Sequence, residues 1–395
     1  MLFKYLRKAT PTDFLTSKDI FHYFDYGFLW MGWQTPTKCS FFYYILSIFV
    51  YFWCNCYIPI GIIISFLMEM ENFNTSDLLS VLQLLFNSFG TPIKIVFIRM
   101  QIRRFHNARE LLSKMDNRCT SISEKYEVHR WVVNCNKAYL IYECIYVVYT
   151  IFTFLSTVFS GVLPWGIYNP FIDWRESRTN FWIAALHELF IMIFAVSNTV
   201  LTDIYTLIFG FMLRVHIRLL RIRVEKLCTS PDKSDKENLE DLINCIEDHK
   251  LIKECAQTIR PIISRTIFVQ FLLIGASLGF SMINLFLFAD FWTGLATVAY
   301  INGLITQTFP FCFVCDLIKW DCELLEVAIF HSNWLDKSQT YKSTLRFFLK
   351  NAQKSVVFSA GAVFPISIST NIQVAKLAFS VFTLVNQLYT GDRMN

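Results

Sequence analysis

Seven apolar segments, each about 20 residues or longer, limit what this chain can fold into more than any other feature of its sequence. A helix rises about 1.5 Å per residue, so about 20 apolar residues cross the hydrocarbon core of a bilayer. Only 17% of the 395 residues are charged, too few to cover the surface of a soluble domain. The sequence therefore predicts an all-α membrane protein with seven transmembrane helices, at 41–68, 78–98, 138–163, 181–213, 261–289, 291–315 and 368–388.

Lys and Arg are distributed unevenly between the two ends of these spans. Cytoplasmic loops retain positive charge, and 30 of the 36 Lys and Arg residues lie in segments 1–40, 99–137, 214–260 and 316–355. We therefore expect a cytoplasmic N-terminus and, after seven spans, an extracellular C-terminus. Asn74 begins the one N-x-[ST] sequon of the chain, in the first outer loop, and is a glycosylation candidate consistent with this orientation.

This orientation and the motif content argue against several functional classes. A G-protein-coupled receptor has the opposite orientation, with its N-terminus outside. His187 and Glu188 begin an H-E-x-x-H motif but the second His is missing, and no phosphate-binding or nucleophile motif occurs. Membrane topology explains the basic segments, so we expect no nucleic-acid partner, and we predict no enzyme activity, cofactor or metal site. Seven spans without an internal repeat also disfavour a transporter.

The basic segments carry amphipathic helical patterns that need a surface to bury against. Tyr341, Leu345, Phe348 and Ala352 recur at helical spacing on one face. We expect a cytoplasmic helical bundle that also joins subunits, with residues 352–366 forming a helix end and turn. The predicted organisation is a cytoplasmic segment 1–40, six spans in 41–315 with cytoplasmic extensions 99–137 and 214–260, anchor helices 316–366, a last span 367–389 and an extracellular tail 390–395.

The last predicted span carries a polar stripe on an otherwise apolar helix. Its residues are separated by 4, 3, 4, 3 and 4 positions, and they are Ser369, Gln373, Lys376, Ser380, Thr383 and Gln387. The stripe is about 27 Å long, close to the whole hydrocarbon core, and would be costly against lipid. It must face water or protein, so two interpretations stand: a pore-lining helix or a hydrogen-bonded seam between helices. One helix cannot enclose a pore, so the first interpretation requires several subunits.

The C-terminal stretch from 341 to 388, "YKSTLRFFLKNAQKSVVFSAGAVFPISISTNIQVAKLAFSVFTLVNQL", is similar to the signature of the insect odorant receptor family. The blocks "AQK", "SAG", "FPIS" and "LAFSVFTLV" occur in the family's order and spacing, and the topology resembles the family over the whole chain. The N-terminal "YGFLWMGWQTP" also resembles the family's leading segment. Segment 214–260 lacks the large insertion of the family's co-receptor, so the chain resembles an odorant-tuning subunit.

The resemblance implies an odorant-gated, non-selective cation channel in the plasma membrane of a sensory neuron dendrite. Such channels are heterotetramers of tuning subunits with a co-receptor, in which four copies of the last helix line the pore. A gustatory-type channel receptor and a metabotropic chemoreceptor remain the alternatives. The pore-lining residues would be Gln373, Lys376, Ser380, Thr383, Leu384, Gln387 and Leu388, with the gate near the last three.

The resemblance also places a pocket for a small volatile odorant in the outer half of spans two to six. Volatile odorants are mostly apolar, so an aromatic lining with few polar groups is expected. His187 is the polar candidate, because its imidazole can donate or accept a hydrogen bond. The candidate ligand-binding residues are Phe86, Phe89, Phe152, Ser156, Phe159, His187, Ile191, Phe280 and Phe286.

Overall fold

A computed structural model describes residues 4–10, 12–33, 40–71 and 73–394 of the chain. Within these residues, seven helical stretches are long and apolar enough to cross a membrane, which confirms the predicted number of spans. In chain order the elements are a 3-10 turn Lys4–Leu6, α1 (Ser17–Ile20), α2 (His22–Trp30), α3 (Ser40–Phe52), a π-helical turn Trp53–Tyr57, α4 (Ile58–Glu69), α5 (Thr75–Met100), α6 (Ile102–Asn117), α7 (Ile122–Phe159), α8 (Arg178–Glu225), α9 (Asp235–Ile283), a π-helical turn Asn284–Phe288, α10 (Phe291–Phe330), α11 (Gln339–Ala352), β1 (Ser359–Ala360), β2 (Phe364–Pro365) and α12 (Ile368–Met394).

The long helices extend far beyond the thickness of a bilayer. The 48 residues of α8 and the 49 residues of α9 correspond to about 70 Å each, more than twice the hydrocarbon core. Capping boxes fix where two of them begin: Ser121 pairs with Glu124 at the start of α7, and Ser234 pairs with Glu237 at the start of α9. Local capping signals in the sequence therefore start these helices outside the predicted membrane spans.

The extensions gather into a helical bundle at one end of the molecule, which we call the basic end (segments 99–137, 214–260 and 316–355). Arg223 of α8 donates to Glu124 of α7 over 2.7 Å and to Asp248 of α9. Arg118 also pairs with Asp248, so one carboxylate joins two guanidinium groups. These contacts tie three long helices together beyond their apolar spans.

The amphipathic stripe predicted in segment 316–355 is confirmed in α11. Tyr341, Leu345, Phe348 and Ala352 are all buried, and α11 packs against α9 and α10 at the basic end. Phe348 contacts His249 of α9, with 5.5 Å between ring centroids. The predicted bundle is therefore part of the same fold as the spans.

A short β-hairpin connects α11 to the last helix and confirms the helix end and turn predicted over 352–366. Ser359 pairs with Pro365 and Ala360 with Phe364. Gly361 has φ +59°, and a Cβ there would lie 2.6 Å from Cδ2 of Phe268. Only glycine satisfies both the left-handed backbone and this close approach to α9. The hairpin therefore leads directly into the start of α12.

The first span consists of α3 and α4 with a π-helical turn between them. Pro59 lies in the first turn of α4 and has no N–H, so the carbonyl of Asn55 loses its ordinary helical donor. Just before it, the Ile58 N–H bonds to the Trp53 carbonyl, five residues earlier. A local π-turn therefore lies at the middle of this span, two residues before the proline.

Candidate functional site

The last helix, α12, packs on its own chain through one face. Ala378 is 2% exposed, Asn371 donates to Thr308 of α10 over 3.0 Å, and Phe382 contacts Phe286 at 5.0 Å between ring centroids. These positions are separated by helical spacing and face α9 and α10. The packed face of α12 is thus fixed by contacts over residues 371–382.

The polar stripe of α12 lies on the opposite face. At about 100° per residue, Lys376, Ser380 and Gln387 point about 160–200° away from Ala378. Gln373, Lys376, Ser380 and Gln387 are exposed and Thr383 is half-buried. The hydroxyls of Ser380 and Thr383 donate to carbonyls of α12 itself, both over 2.9 Å. Within the described residues the stripe is therefore not a seam to another helix of this chain.

The two leucines predicted at the gate flank this stripe. Leu384 is 58% exposed and Leu388 is 64% exposed, so six of the seven predicted pore residues are exposed along α12, and Thr383 is half-buried. Along α12 the predicted pore residues are polar from Gln373 to Thr383, and the two leucines lie in the part of the helix farthest from the hairpin. Within the described residues, no other helix of this chain covers this surface.

The residues predicted to bind a ligand do not gather at one place in the structure. Phe86 of α5 and Phe280 of α9 do meet, with 5.5 Å between ring centroids. His187 meets the first span instead: Trp53 Nε1 donates to its Nε2 over 3.1 Å, and the Tyr57 ring lies 5.8 Å away. Two separate aromatic groups therefore remain as candidates.

The other predicted ligand residues have different surroundings. Ile191 is 2% exposed in a core cluster with Ile58, and Phe286 contacts α12. Phe152, Ser156 and Phe159 are exposed, because the inner face of α7 is occupied by Phe154 and Val158. Phe89 of α5 is also exposed. Helical spacing indicates that 152, 156 and 159 share a face, but not which neighbour that face meets. Their role in binding stays a prediction.

A cavity of about 90 Å³ lies between the first, second and fourth spans. It occurs near the middle of each span and combines apolar with amide and hydroxyl side chains. The nine predicted ligand residues, all within the described ranges, are not among those that line it. The lining consists of Cys54, Asn55, Ile58, Leu84, Asn87, Ser88, Thr91, Met192, Ala195, Val196, Asn198 and Thr199. The asparagines in the middle of these apolar spans are the sequence signal that could have indicated this cavity.

The structure also contains a buried ion pair that the sequence did not predict. Lys94 of α5 donates to Asp203 of α8 and to the side-chain carbonyl of Gln270 of α9, each over 2.6 Å. Gln270 in turn donates to Gln307 of α10, so four helices share one polar network. The two charged side chains are 3% and 6% exposed.

Among the described residues, no three His, Cys, Asp or Glu side chains come together as a metal site.

Glu188, the neighbour of His187, fastens the loop between α7 and α8. Its carboxylate accepts the backbone N–H groups of Trp165 and Ile167 over 2.9 and 2.7 Å. The hydroxyl of Tyr57 donates to the Tyr168 carbonyl over 3.0 Å. The loop therefore packs against the first and fourth spans, next to the aromatic group around His187.

The chain resembles known proteins over its whole length. Residues 74–379 match the family model described as 7tm Odorant receptor. The chain is 62% identical to Odorant receptor 98a of Drosophila melanogaster, covering 100% of this chain and 99% of that protein. It is 40% identical to Odorant receptor 42b of the same species, again over 100% of this chain and 99% of the relative.

The fold also matches solved structures. The olfactory receptor OR5 from Machilis hrabei, solved in complex with eugenol, aligns with a TM-score of 0.73 over 94% of this chain and 97% of that chain, at 15% identity. A second structure of the same receptor aligns with a TM-score of 0.72 over 94% of this chain and 100% of that chain, also at 15% identity. The fold of this chain is therefore similar to that of a solved olfactory receptor.

Proposed function

This chain belongs to the insect odorant receptor family, and we propose on that basis that it is the odorant-binding subunit of a heteromeric, ligand-gated, non-selective cation channel. The turn between α8 and α9 is short, from Lys226 to Ser234, without the insertion expected of a co-receptor. The 62% identity to Odorant receptor 98a over the full length supports the same assignment. A co-receptor of the same family is the proposed partner.

The outward polar face of α12 is the observation that carries the proposal. A 27 Å polar stripe facing lipid would be costly, and within the described residues this chain does not cover it. Several copies of α12 around a common axis would turn these faces inward and leave the apolar flanks for protein contacts. The surface would then line a water-filled path, with Leu384 and Leu388 as an apolar constriction that stops ions by dewetting.

The proposed orientation places the basic end in the cytoplasm. Positive charge is retained on that side, and the four basic segments hold 30 of the 36 Lys and Arg residues. The α12 helix begins at the hairpin near this end and runs to Met394 through the residues predicted as a tail. The C-terminus, the predicted gate and Asn74 would then lie on the outer side, with the receptor in the plasma membrane of a sensory dendrite.

We place the odorant in the outer half of the bundle, at the two aromatic groups that contain the predicted residues Phe86, Phe280 and His187. Phe86 and Phe280 form one, and His187 with Trp53 and Tyr57 forms the other. Apolar and aromatic walls with a single adjustable polar group suit small volatile molecules. That the structurally similar OR5 was solved with eugenol supports a ligand of this size.

The decisive experiment is a patch-clamp recording from cells expressing this chain with a co-receptor, using excised patches without GTP and an odorant panel. We expect a rapid odorant-evoked cation current, and we expect Ser380→Ala and Gln387→Ala to change conductance or ion selectivity. Ser160→Ala removes a hydroxyl at the end of α7 and is the matched control, with unchanged permeation. Unchanged permeation in both α12 variants would contradict the pore assignment.

The same recordings separate the alternatives. A metabotropic chemoreceptor would lose its response on excision and regain it with GTP. A gustatory-type channel of the same architecture would give GTP-independent currents with non-volatile tastants but none with the odorant panel.

A further inference from the structure

A group of three cations lies where α9, the end of α11 and the β-hairpin meet. Lys253 of α9 donates through Nζ to the Asn351 carbonyl, in the last turn of α11, over 3.1 Å. Lys354 follows on the segment between α11 and the hairpin, and Arg260 lies two turns farther along α9, on the same side as Lys253. We call Lys253, Arg260 and Lys354 the basic cluster.

The members of the basic cluster repel one another. Burial lowers the pKa of the Lys253 ammonium, and the positive charges of Lys354 and Arg260 lower it further. On α9 itself, Lys253 and Arg260 are separated by about 10 Å along the helix axis. Like charges held together disfavour their own charged state unless an opposite charge is close. The cluster therefore concentrates positive charge that a bound anion would stabilise.

The described part of the chain supplies no counter-charge for the basic cluster. None of its three cations has a carboxylate oxygen within 4.0 Å among those residues. Two carboxylates of α10 are bound to other groups: Asp316 accepts the Ile368 N–H over 2.9 Å, and Glu326 accepts the Gln353 amide over 3.1 Å. The sequence from 337 to 391 contains no Asp or Glu, so neither α11 nor the hairpin can provide one.

The basic cluster lies beside the boundary of a predicted span. Arg260 comes directly before the fifth span, and the hairpin tip lies one turn farther, where the Gly361 N–H donates to the Ser264 carbonyl over 2.9 Å. The side chains of Val363 and Phe364 on this hairpin are exposed. Exposed apolar groups at this depth suit acyl chains, and cations just outside them lie at the level of lipid phosphates.

These features together specify the chemistry of a ligand. Phosphate groups form strong charge-assisted hydrogen bonds with Lys and Arg, and basic pockets beside membrane helices bind phosphorylated headgroups. Cations spread over about 10 Å suit a headgroup with more than one phosphate. We propose that the basic cluster binds the phosphorylated headgroup of an anionic membrane lipid, with the acyl chains against Val363 and Phe364.

This site is separate from the residues proposed for the odorant and the pore. In the proposed orientation it faces the cytoplasmic leaflet, where anionic lipids are found. The lipid would then join α9 to the segment that leads into α12, because its headgroup would contact Lys354 as well as Lys253.

The test measures lipid binding by native mass spectrometry of the full-length protein in detergent. The three probes are phosphatidylinositol bisphosphate, phosphatidylcholine and soluble inositol trisphosphate, which has the phosphates but no acyl chains. We expect phosphatidylinositol bisphosphate to bind at least about tenfold more tightly than either other probe. Each cation near a membrane surface contributes about fivefold to the affinity for anionic lipid.

Variants locate the bound lipid on the chain. Lys253→Gln keeps a donor for the Asn351 carbonyl but removes the charge, and Lys354→Gln changes an exposed side chain. Each should weaken binding of phosphatidylinositol bisphosphate by about fivefold. Lys236→Gln makes the same change at an exposed lysine near the start of α9 and is the matched control, with unchanged affinity.

Three outcomes would overturn the proposal. The first is equal binding of phosphatidylinositol bisphosphate and phosphatidylcholine, as expected if carboxylates of a neighbouring subunit neutralise the cluster. The second is an affinity unchanged in both Lys253→Gln and Lys354→Gln. The third is inositol trisphosphate binding as tightly as the lipid, which would assign the site to a soluble phosphate. If Lys253→Gln does not fold, the exposed Lys354→Gln decides. Binding is measured without channel currents, so failure of the lipid site and failure of the channel function are distinguishable.

Discussion

The buried pair of Lys94 and Asp203 gives the sharpest stability prediction. Their side chains are 3% and 6% exposed, and Nζ lies 2.6 Å from Oδ1. Lys94→Met would leave the Asp203 carboxylate buried without its counter-charge. Removing one partner of a buried pair costs about 3–5 kcal/mol, whereas replacing both with apolar residues of similar size is often neutral. Lys94→Met/Asp203→Leu should therefore recover most of the loss.

The expected thermal shift follows from the length of the chain. Taking about 2.1 cal/mol/K per residue for the entropy of unfolding, 395 residues give about 0.8 kcal/mol/K. A loss of about 3–5 kcal/mol then lowers Tm by about 4–6 °C. The assay is thermal unfolding of the purified protein in nanodiscs, followed by tryptophan fluorescence, for the two single variants and the double variant.

An exposed ion pair provides the control. Lys319 and Glu323 lie one helical turn apart on α10 at 3.9 Å, with side chains 60% and 52% exposed. Pairs of this kind contribute about 0.5 kcal/mol or less, so Lys319→Met should change Tm by less than 1 °C. Single variants of Lys94 and Asp203 that behave like this control, or a double variant as unstable as the two losses added together, would refute the reasoning.

Three further predictions follow from backbone and surface features. Gly361→Ala should lower the free energy of unfolding by about 1–3 kcal/mol, because the left-handed backbone and the Phe268 ring both oppose a Cβ. Gly303→Ala is the control and should not destabilise the protein, because the space around Gly303 is open. Thermal unfolding measures both variants. Ser234→Ala removes the capping box of α9 and should cost about 1 kcal/mol in the same assay. Asn74→Asp keeps the N-cap of α5 and should abolish a mobility shift on deglycosylation, whereas a shift that persists would place the glycan elsewhere.

Local sequence rules predicted much of this fold. The seven spans follow from apolar length, and the buried stripe of α11 follows from helical spacing. The family was identified from blocks in residues 341–388, and the family match and the relatives confirm it.

The candidate site was predicted less completely, because it depends on which helices are neighbours. The polar stripe of α12 was evident from spacing, but the sequence left open whether it faced another helix of the chain. The structure decides this, since Asn371, Ala378 and Phe382 occupy the packed face and the stripe lies opposite. The predicted ligand residues lie apart in the structure for the same reason. Helical spacing shows which residues share a face of a helix, but not which other helix that face contacts.

By itself, the sequence determined the quantities that one helix can specify: the length of each span, the start of each long helix, the charge at each end and the polar side of α12. Only the tertiary structure brought Lys94 to Asp203 across 109 positions, and Trp53 to His187 across the first and fourth spans. The physical reason is that helical period acts over a few residues, whereas a cavity or a buried ion pair requires side chains from several helices to meet.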